Sequence, residues 1–149
     1  MRILFVASSG GHLAQLTSLA SWWKEHERHW VTFDTQDALA ALSGETVTWA
    51  HHPTTRNLPN LLRNAVLARH VLDSFRPDLI VTTGAAVAFP FFLLARLHQI
   101  RTCYIEVFDR LDSRTLTGRL CYPLADAMYV QWEEQLALYA DAEVIGPTL

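Results

Sequence analysis

The chain is short of cysteine, short of charge and without a long apolar run, and each shortage removes a class of protein. Its two cysteines, Cys103 and Cys121, lie eighteen residues apart and are not grouped with histidines. That spacing suits neither a zinc site nor a redox pair, and two isolated cysteines fit a reducing compartment. Charged residues make up 18% of the chain and the net charge is -3. The basic surplus of a nucleic-acid binder is therefore missing. Half of the residues are apolar, which excludes a disordered chain. The longest apolar stretch, Ala85 to Ala95, is too short to span a bilayer and contains Pro90. No apolar leader precedes the strand that begins at Arg2, so the expectation is a chain that lies against a membrane without crossing it. Repeats and low-complexity segments are absent, and one domain over residues 1–149 is expected.

What is present is a regular alternation of strand and helix signals. The apolar run Ile3–Ala7 reads as a first strand, and Leu13, Leu16, Leu19, Ala20 and Trp23 recur at helical spacing over Leu13–Lys24. Strands follow at His29–Phe33 and Thr46–Ala50, separated by a short helix at Gln36–Leu42. A long helix from Pro59 to Phe75 ends at Arg76-Pro77, because proline disfavours helical geometry in the preceding residue. The remaining strands are Asp78–Gly84, Thr102–Ile105, Ala127–Val130 and Glu143–Ile145, with helices at Ala85–His98, Leu116–Leu124 and Glu133–Tyr139. This order predicts an α/β domain with a doubly wound parallel sheet and right-handed crossovers.

Ligands of such sheets bind outside the carboxyl ends of the strands, where the strand order reverses, between the first and fourth strands in the usual order. That places two glycine turns in one crevice, Ser8-Ser9-Gly10-Gly11-His12 and Thr83-Gly84. Glycine lets the backbone come close to a ligand, and the first N–H groups of a following helix favour an anion. The loop does not spell G-x-G-x-x-G, although Asp34 ends the second strand where a ribose-binding acid would lie. No Gly-Lys-Ser/Thr accompanies it either, so neither a dinucleotide nor a nucleotide P-loop is expected. His12 reads as a general base or as a helix-terminal cap. Glu106 reads as one half of an ion pair with Arg110 or as an acid/base. Asp109, Asp112, Arg114 and Arg119 read as a solvated face, with substrate contact as the alternative. His51-His52 lacks further ligands at metal spacing, so no metal is expected. The leucine-rich helix with Arg56, Arg63 and Arg69 reads as a packed helix with one wet face, or as one that touches an anionic membrane.

The run Tyr104-Ile105-Glu106, Arg110, Ser113–Leu120, Ala125-Asp126 and Val130-Gln131-Trp132-Glu133 resembles the acceptor-side subunit of split GT-B glycosyltransferases. Ser9-Gly10-Gly11-His12 and Pro77–Gly84 are similar too. That family includes the membrane-anchoring subunit of the eukaryotic dolichol-linked UDP-N-acetylglucosamine transferase and bacterial PssD-type relatives. The resemblance implies a Rossmann-like fold equivalent to the N-terminal half of a GT-B enzyme such as MurG. It implies a polyprenyl-diphosphate-linked sugar acceptor, a separate donor-binding glycosyltransferase subunit as partner in a heterodimer, and a UDP-sugar donor (N-acetylglucosamine or glucuronic acid). No cofactor and no nucleic acid are implied, and the expected location is cytoplasmic, peripheral at the inner face of the plasma membrane. It assigns Glu106, His12 and Arg110 to catalysis, and Ser9, Gly10, Gly11, Thr83, Gly84, Gln131 and Trp132 to substrate binding. The alternative expectation is a non-catalytic scaffold that recruits a glycosyltransferase. The chain departs from the pattern at Val107, where serine is common, and at Leu13, where threonine is common. It also lacks the N-terminal transmembrane segment of the eukaryotic members, which implies a bacterial form.

Overall fold

Strict alternation within buried strands sorts their side chains onto the two faces of one sheet. In the first strand Leu4 and Val6 join one apolar cluster, while Ile3, Phe5 and Ala7 join the other. A computed structural model describes all residues 1–149. Its strands are β1 (Arg2–Ala7), β2 (Glu27–Thr32), β3 (Val47–Trp49), β4 (Leu79–Gly84), β5 (Arg101–Ile105), β6 (Ala127–Val130) and β7 (Glu143–Val144). They form a single seven-stranded sheet, parallel throughout, in the order β3-β2-β1-β4-β5-β6-β7. The expected doubly wound sheet is thus present, with its reversal between β1 and β4.

Helices α1 (Gly11–Thr17), α2 (Ala20–Trp23) and α3 (Gln36–Ala41) lie on the Phe5 side. There Phe5 stacks on Trp30 at 4.3 Å between ring centres, with Trp23 edge-on to both. Helices α4 (Leu58–Phe75), α5 (Ala88–His98) and α6 (Leu116–Cys121) cover the Leu4 side. Beyond β4 the Phe5 side of the sheet carries no helix. It is left as a groove of about 580 Å³ whose lining includes Trp22, Cys103, Ile105, Ala127, Tyr129 and Ile145.

Four helices differ from expectation for local reasons. The helix expected over Leu13–Lys24 breaks into α1 and α2, because Ser18 Oγ and Trp23 Nε1 bond the carbonyls of Gln15 (2.7 Å) and Leu16 (2.8 Å). The one expected from Ala85 begins at Ala88, since Gly84 (φ 115°) and Ala85 (φ 72°) both lie in left-handed backbone. Past Cys121 the chain tightens into a 3₁₀ turn at Tyr122–Leu124, and Glu133–Ala137 is 3₁₀ rather than α. By contrast α4 follows its signals: the Asn57 side chain accepts from Asn60 N, Pro59 sits in the first turn, and Arg76 turns left-handed before Pro77.

Candidate functional site

The carboxyl ends of β1, β4, β5 and β6 bring together Ser8–His12, Thr83–Gly84, Glu106–Arg110 and Gln131–Trp132, as the parallel topology requires. His12 and Thr83 clasp each other across the reversal. Thr83 Oγ1 donates to the His12 carbonyl (2.8 Å), and His12 Nδ1 lies 2.9 Å from the Thr83 carbonyl. A carbonyl can only accept, so Nδ1 carries the proton and Nε2 keeps its lone pair. Burial lowers the His12 pKa from the ordinary histidine value, against the opposing pull of the Thr83 carbonyl, and Asp109 and Arg110 act on it from nearby. The side chain is half-buried and neutral at pH 7, which is the state of a proton acceptor.

Gly84 is a close-approach position. A Cβ there would lie 2.7 Å from the Tyr104 hydroxyl and 3.4 Å from His12 Cε1, in a backbone at φ 115°. Gly10 also has positive φ (77°), but its N–H donates to Asp37 Oδ2 at 2.8 Å, and Thr35 donates to the other carboxylate oxygen at 2.6 Å. These bonds hold the Asp37 carboxyl below the usual range. The expectation that the Gly10 amide faces a diphosphate is therefore corrected, because a carboxylate of the chain itself already sits on it. Ser9 and Gly11 remain accessible on the same loop.

Glu106 is 1% exposed. Its Oε2 accepts from the Tyr139 hydroxyl at 2.6 Å and its Oε1 from the Val107 N–H at 3.0 Å. Burial raises its pKa above the ordinary glutamate value in spite of these donors. The expected ion pair with Arg110 is not formed. The chain turns at Val107–Arg110 (Arg110 N–H to Val107 carbonyl, 3.2 Å) and leaves the guanidinium half-exposed, while Tyr139 fills the inner position.

Gln131 is corrected in the same way. Its Nε2 donates to the Glu106 carbonyl (2.9 Å) and to Gln15 Oε1, and its Oε1 accepts from Thr148 N–H (2.9 Å). Both ends of that buried amide are engaged within the protein, so it holds the loop and is not free to meet a substrate. The Trp132 indole N–H donates to the Phe108 carbonyl (2.8 Å), fixing the same loop from outside. Gln135 completes the lattice, with Nε2 donating to the Val107 and Arg110 carbonyls.

Tyr139, Gln15 and Gln135 carry no motif that marks them in the sequence. Arg114, expected on a solvated face, is half-buried against the rings of Tyr122 and Tyr139, with its guanidinium carbon 5.2 and 5.1 Å from their centres. Gly118 was the available signal, because a Cβ there would strike the Tyr139 hydroxyl. A small residue inside a helix marks a bulky neighbour. Asp34 is hydrogen-bonded to His52 (2.7 Å), and no group of three or more His, Cys, Asp or Glu is arranged to hold a metal ion.

Comparison with known proteins adds a family and a fold. The family described as "Oligosaccharide biosynthesis protein Alg14 like" matches residues 50–148. The UDP-N-acetylglucosamine transferase subunit ALG14 of Kluyveromyces lactis is 30% identical over 93 residues, 57% of this chain and 39% of that protein. The subunit of the same name from Mus musculus is 23% identical over 178 residues, 98% of this chain and 82% of that protein. The chain thus spans well under half the length of the yeast relative it matches. Among solved structures, MurG of Acinetobacter baumannii superposes with a TM-score of 0.76 at 16% identity, over 98% of this chain and 45% of that one. The UDP co-structure of Staphylococcus aureus MnaA gives 0.78 at 15% identity, over 99% and 45%. These two likenesses establish the fold: one Rossmann-like half of a GT-B architecture.

Proposed function

Because the chain belongs to the family of Alg14-like oligosaccharide biosynthesis proteins, we propose that it is the acceptor-binding subunit of a two-chain glycosyltransferase. A sugar passes from a UDP-linked donor, N-acetylglucosamine or glucuronic acid, to a polyprenyl-diphosphate-linked saccharide. The observation that carries this reading is the His12–Thr83 clasp at the strand reversal, which leaves Nε2 unprotonated on a ring beside the Gly84 turn. In the proposed step His12 Nε2 takes the proton of the acceptor hydroxyl. The freed oxygen attacks the anomeric carbon of the donor, and the bond to the nucleoside diphosphate breaks. Glu106 and Arg110 shape the loop behind His12.

The partner supplies the donor-binding half. Relatives carry the word subunit in their names, and the chain corresponds to 45% of the MurG fold. The groove on the helix-free side of β5 and β6 is the surface on which that second chain would seat. A peripheral place at the inner membrane face agrees with α4, whose outward Leu58, Leu62 and Val66 are 65%, 61% and 73% exposed. No helix is long and apolar enough to cross a membrane.

The test combines this chain with the product of a neighbouring donor-domain gene, acceptor lipid and labelled nucleotide sugar. Transfer by the pair is expected, with a loss of roughly 10²–10⁴-fold for His12→Gln while partner binding is kept. Full activity of that variant would remove His12 from the mechanism. A second reading, a non-catalytic recruiting scaffold, draws on the complete burial of Glu106. It gains if the partner alone glycosylates a soluble acceptor at the full rate.

A further inference from the structure

The side chain that proposal leaves unused is Arg114. Its guanidinium carbon lies 5.2 and 5.1 Å from the ring centres of Tyr122 and Tyr139, which stand 5.2 Å apart edge to face, so the cation rests against one side of that pair. A ring offers no conventional hydrogen-bond acceptor, so this contact does not pair the five N–H donors of a guanidinium. Those donors have no partner in the chain. Arg114 makes no side-chain hydrogen bond, and none of the four ion pairs includes it. Asp112, two residues away, does not reach it. The residue is half-buried, so this cation is neither paired nor fully solvated.

The position is also rigid. Tyr139 is fully buried and anchored through its hydroxyl to Glu106 at 2.6 Å, and Tyr122 donates to Asp141 at 3.1 Å. The Thr115 side chain, next in sequence, caps α6 by accepting from Gly118 N–H (2.9 Å). Thr115 also lies beside the Tyr104 hydroxyl, which in turn touches the Gly84 turn. Arg114 thus adjoins, through Thr115 and Tyr104, the Gly84 turn on which His12 also lies. On the other loop the Gly10 amide is taken by Asp37, so the positive charge for an anionic ligand has to come from elsewhere.

We propose that Arg114 is the oxyanion-binding side chain of this crevice, its unpaired N–H donors standing beside Tyr122 and Tyr139 to grip a diphosphate. The inference rests on the glycosyltransferase reading for the nature of its ligand. Two sources share that chemistry, a lipid diphosphate and the diphosphate of a nucleotide. The exposed Leu111 and Leu116 on either side of Arg114 in the chain favour the lipid. Tyr139 acts through Arg114 and Glu106 and is a positioning residue.

The test is titration of the full chain with farnesyl diphosphate and, separately, with UDP, read by calorimetry in the absence of any transfer assay. Farnesyl diphosphate is expected to bind, with UDP at least tenfold weaker. Arg114→Gln should weaken farnesyl diphosphate tenfold or more. Tyr139→Phe keeps the ring beside Arg114 but loses the anchor on Glu106, and should fall between the parent and Tyr139→Leu. Tyr139→Leu removes the ring and should lose as much as Arg114→Gln, with thermal melts confirming that each variant folds. If UDP binds the more tightly and is the ligand lost in Arg114→Gln, the oxyanion site stands and its source is the nucleotide. Unchanged farnesyl diphosphate and UDP affinity in Arg114→Gln, or no binding of either by the parent, would overturn the proposal. Failure of the reconstituted pair to transfer sugar, with diphosphate binding intact, would instead refute the glycosyltransferase reading.

Discussion

His12 is one ring with two nitrogens in different situations, and its value to the site comes from that difference. The Thr83 carbonyl settles which nitrogen holds the proton, and burial settles that there is only one. The same burial has a thermodynamic consequence. A folded-state histidine pKa below the unfolded value means that the unfolded chain binds more protons as pH falls. Stability is then complete above the unfolded value, about 6.5, and declines as pH falls through it toward the lowered folded value. His29, lowered by burial alone, adds the same sign. These two histidines are expected to lower urea midpoints from pH 8 to pH 5, opposed by the raised Glu106 carboxyl, and His12→Gln and His29→Gln should each remove part of the fall. At this scale the sequence was informative wherever a residue type has few uses, as for His12 and Gly84. Tyr139, Gln15 and Gln135 escaped notice because their roles exist only through contacts between distant segments. Gln15 meets Gln131 across 116 positions, and Tyr139 meets Glu106 across 33.

Among the elements, α6 shows how a short helix can be fixed by what it must not contain. Gly118 faces Tyr139 and lies 3.6 Å, measured from an added Cβ, from Glu106 Oε2. Gly118→Ala should therefore destabilise the protein by about 1–3 kcal/mol through overpacking. Gly84→Ala should cost at least as much, since it adds backbone strain of about 1–3 kcal/mol to the contact with Tyr104. A chain of this length loses roughly 2–4 °C of melting temperature per kcal/mol, so calorimetric scans should show drops of several degrees for both. Gly10→Ala, whose Cβ would meet nothing within 4 Å, separates strain from crowding. The parallel order and the strand reversal were legible in the sequence because apolar runs and helical periods alternate without interruption. The helix breaks at Ser18 and Ala85 were not, because they depend on side-chain-to-backbone bonds and on left-handed backbone that composition does not announce.

The whole molecule is acidic yet unevenly so. No Asp or Glu occurs from Ala50 to Leu72, from Leu79 to Ile105, or from Ser113 to Ala125, stretches that contain Arg56, Arg63, Arg69, Arg96, Arg101, Arg114 and Arg119. Those stretches include nearly all of α4, α5 and α6, the three helices packed on one side of the sheet. Their outward residues include the i,i+4 pairs Leu58/Leu62, Leu93/Leu97 and Leu116/Leu120, with exposures of 40–78%. Arg69 and Arg96 are paired with Asp73 and Asp126, and the other five arginines form no ion pair; exposed leucines among such arginines fit an anionic bilayer surface. Sedimentation with phosphatidylglycerol vesicles should capture the chain, and phosphatidylcholine vesicles should not. The double variant Leu62→Glu/Val66→Glu should reduce capture tenfold or more without lowering the melting temperature. Equal capture by both lipids would remove the electrostatic part of this expectation. A sequence can reveal such segregation of charge, but only the fold shows that the three stretches share one side.

The carboxylate on Gly10 gives the glycine loop a different character from an open cradle. Asp37 competes with any arriving anion from a tethered position, so its effective concentration at that amide is high and independent of what surrounds the protein. A ligand that offers the loop charge alone must displace it and gains little. One that also has groups for Arg114, for the apolar residues beside it and for His12 can bind without contesting that amide. On the proposed reading an occupied loop would discriminate: free phosphate, abundant in any cell, would find the Gly10 amide already answered.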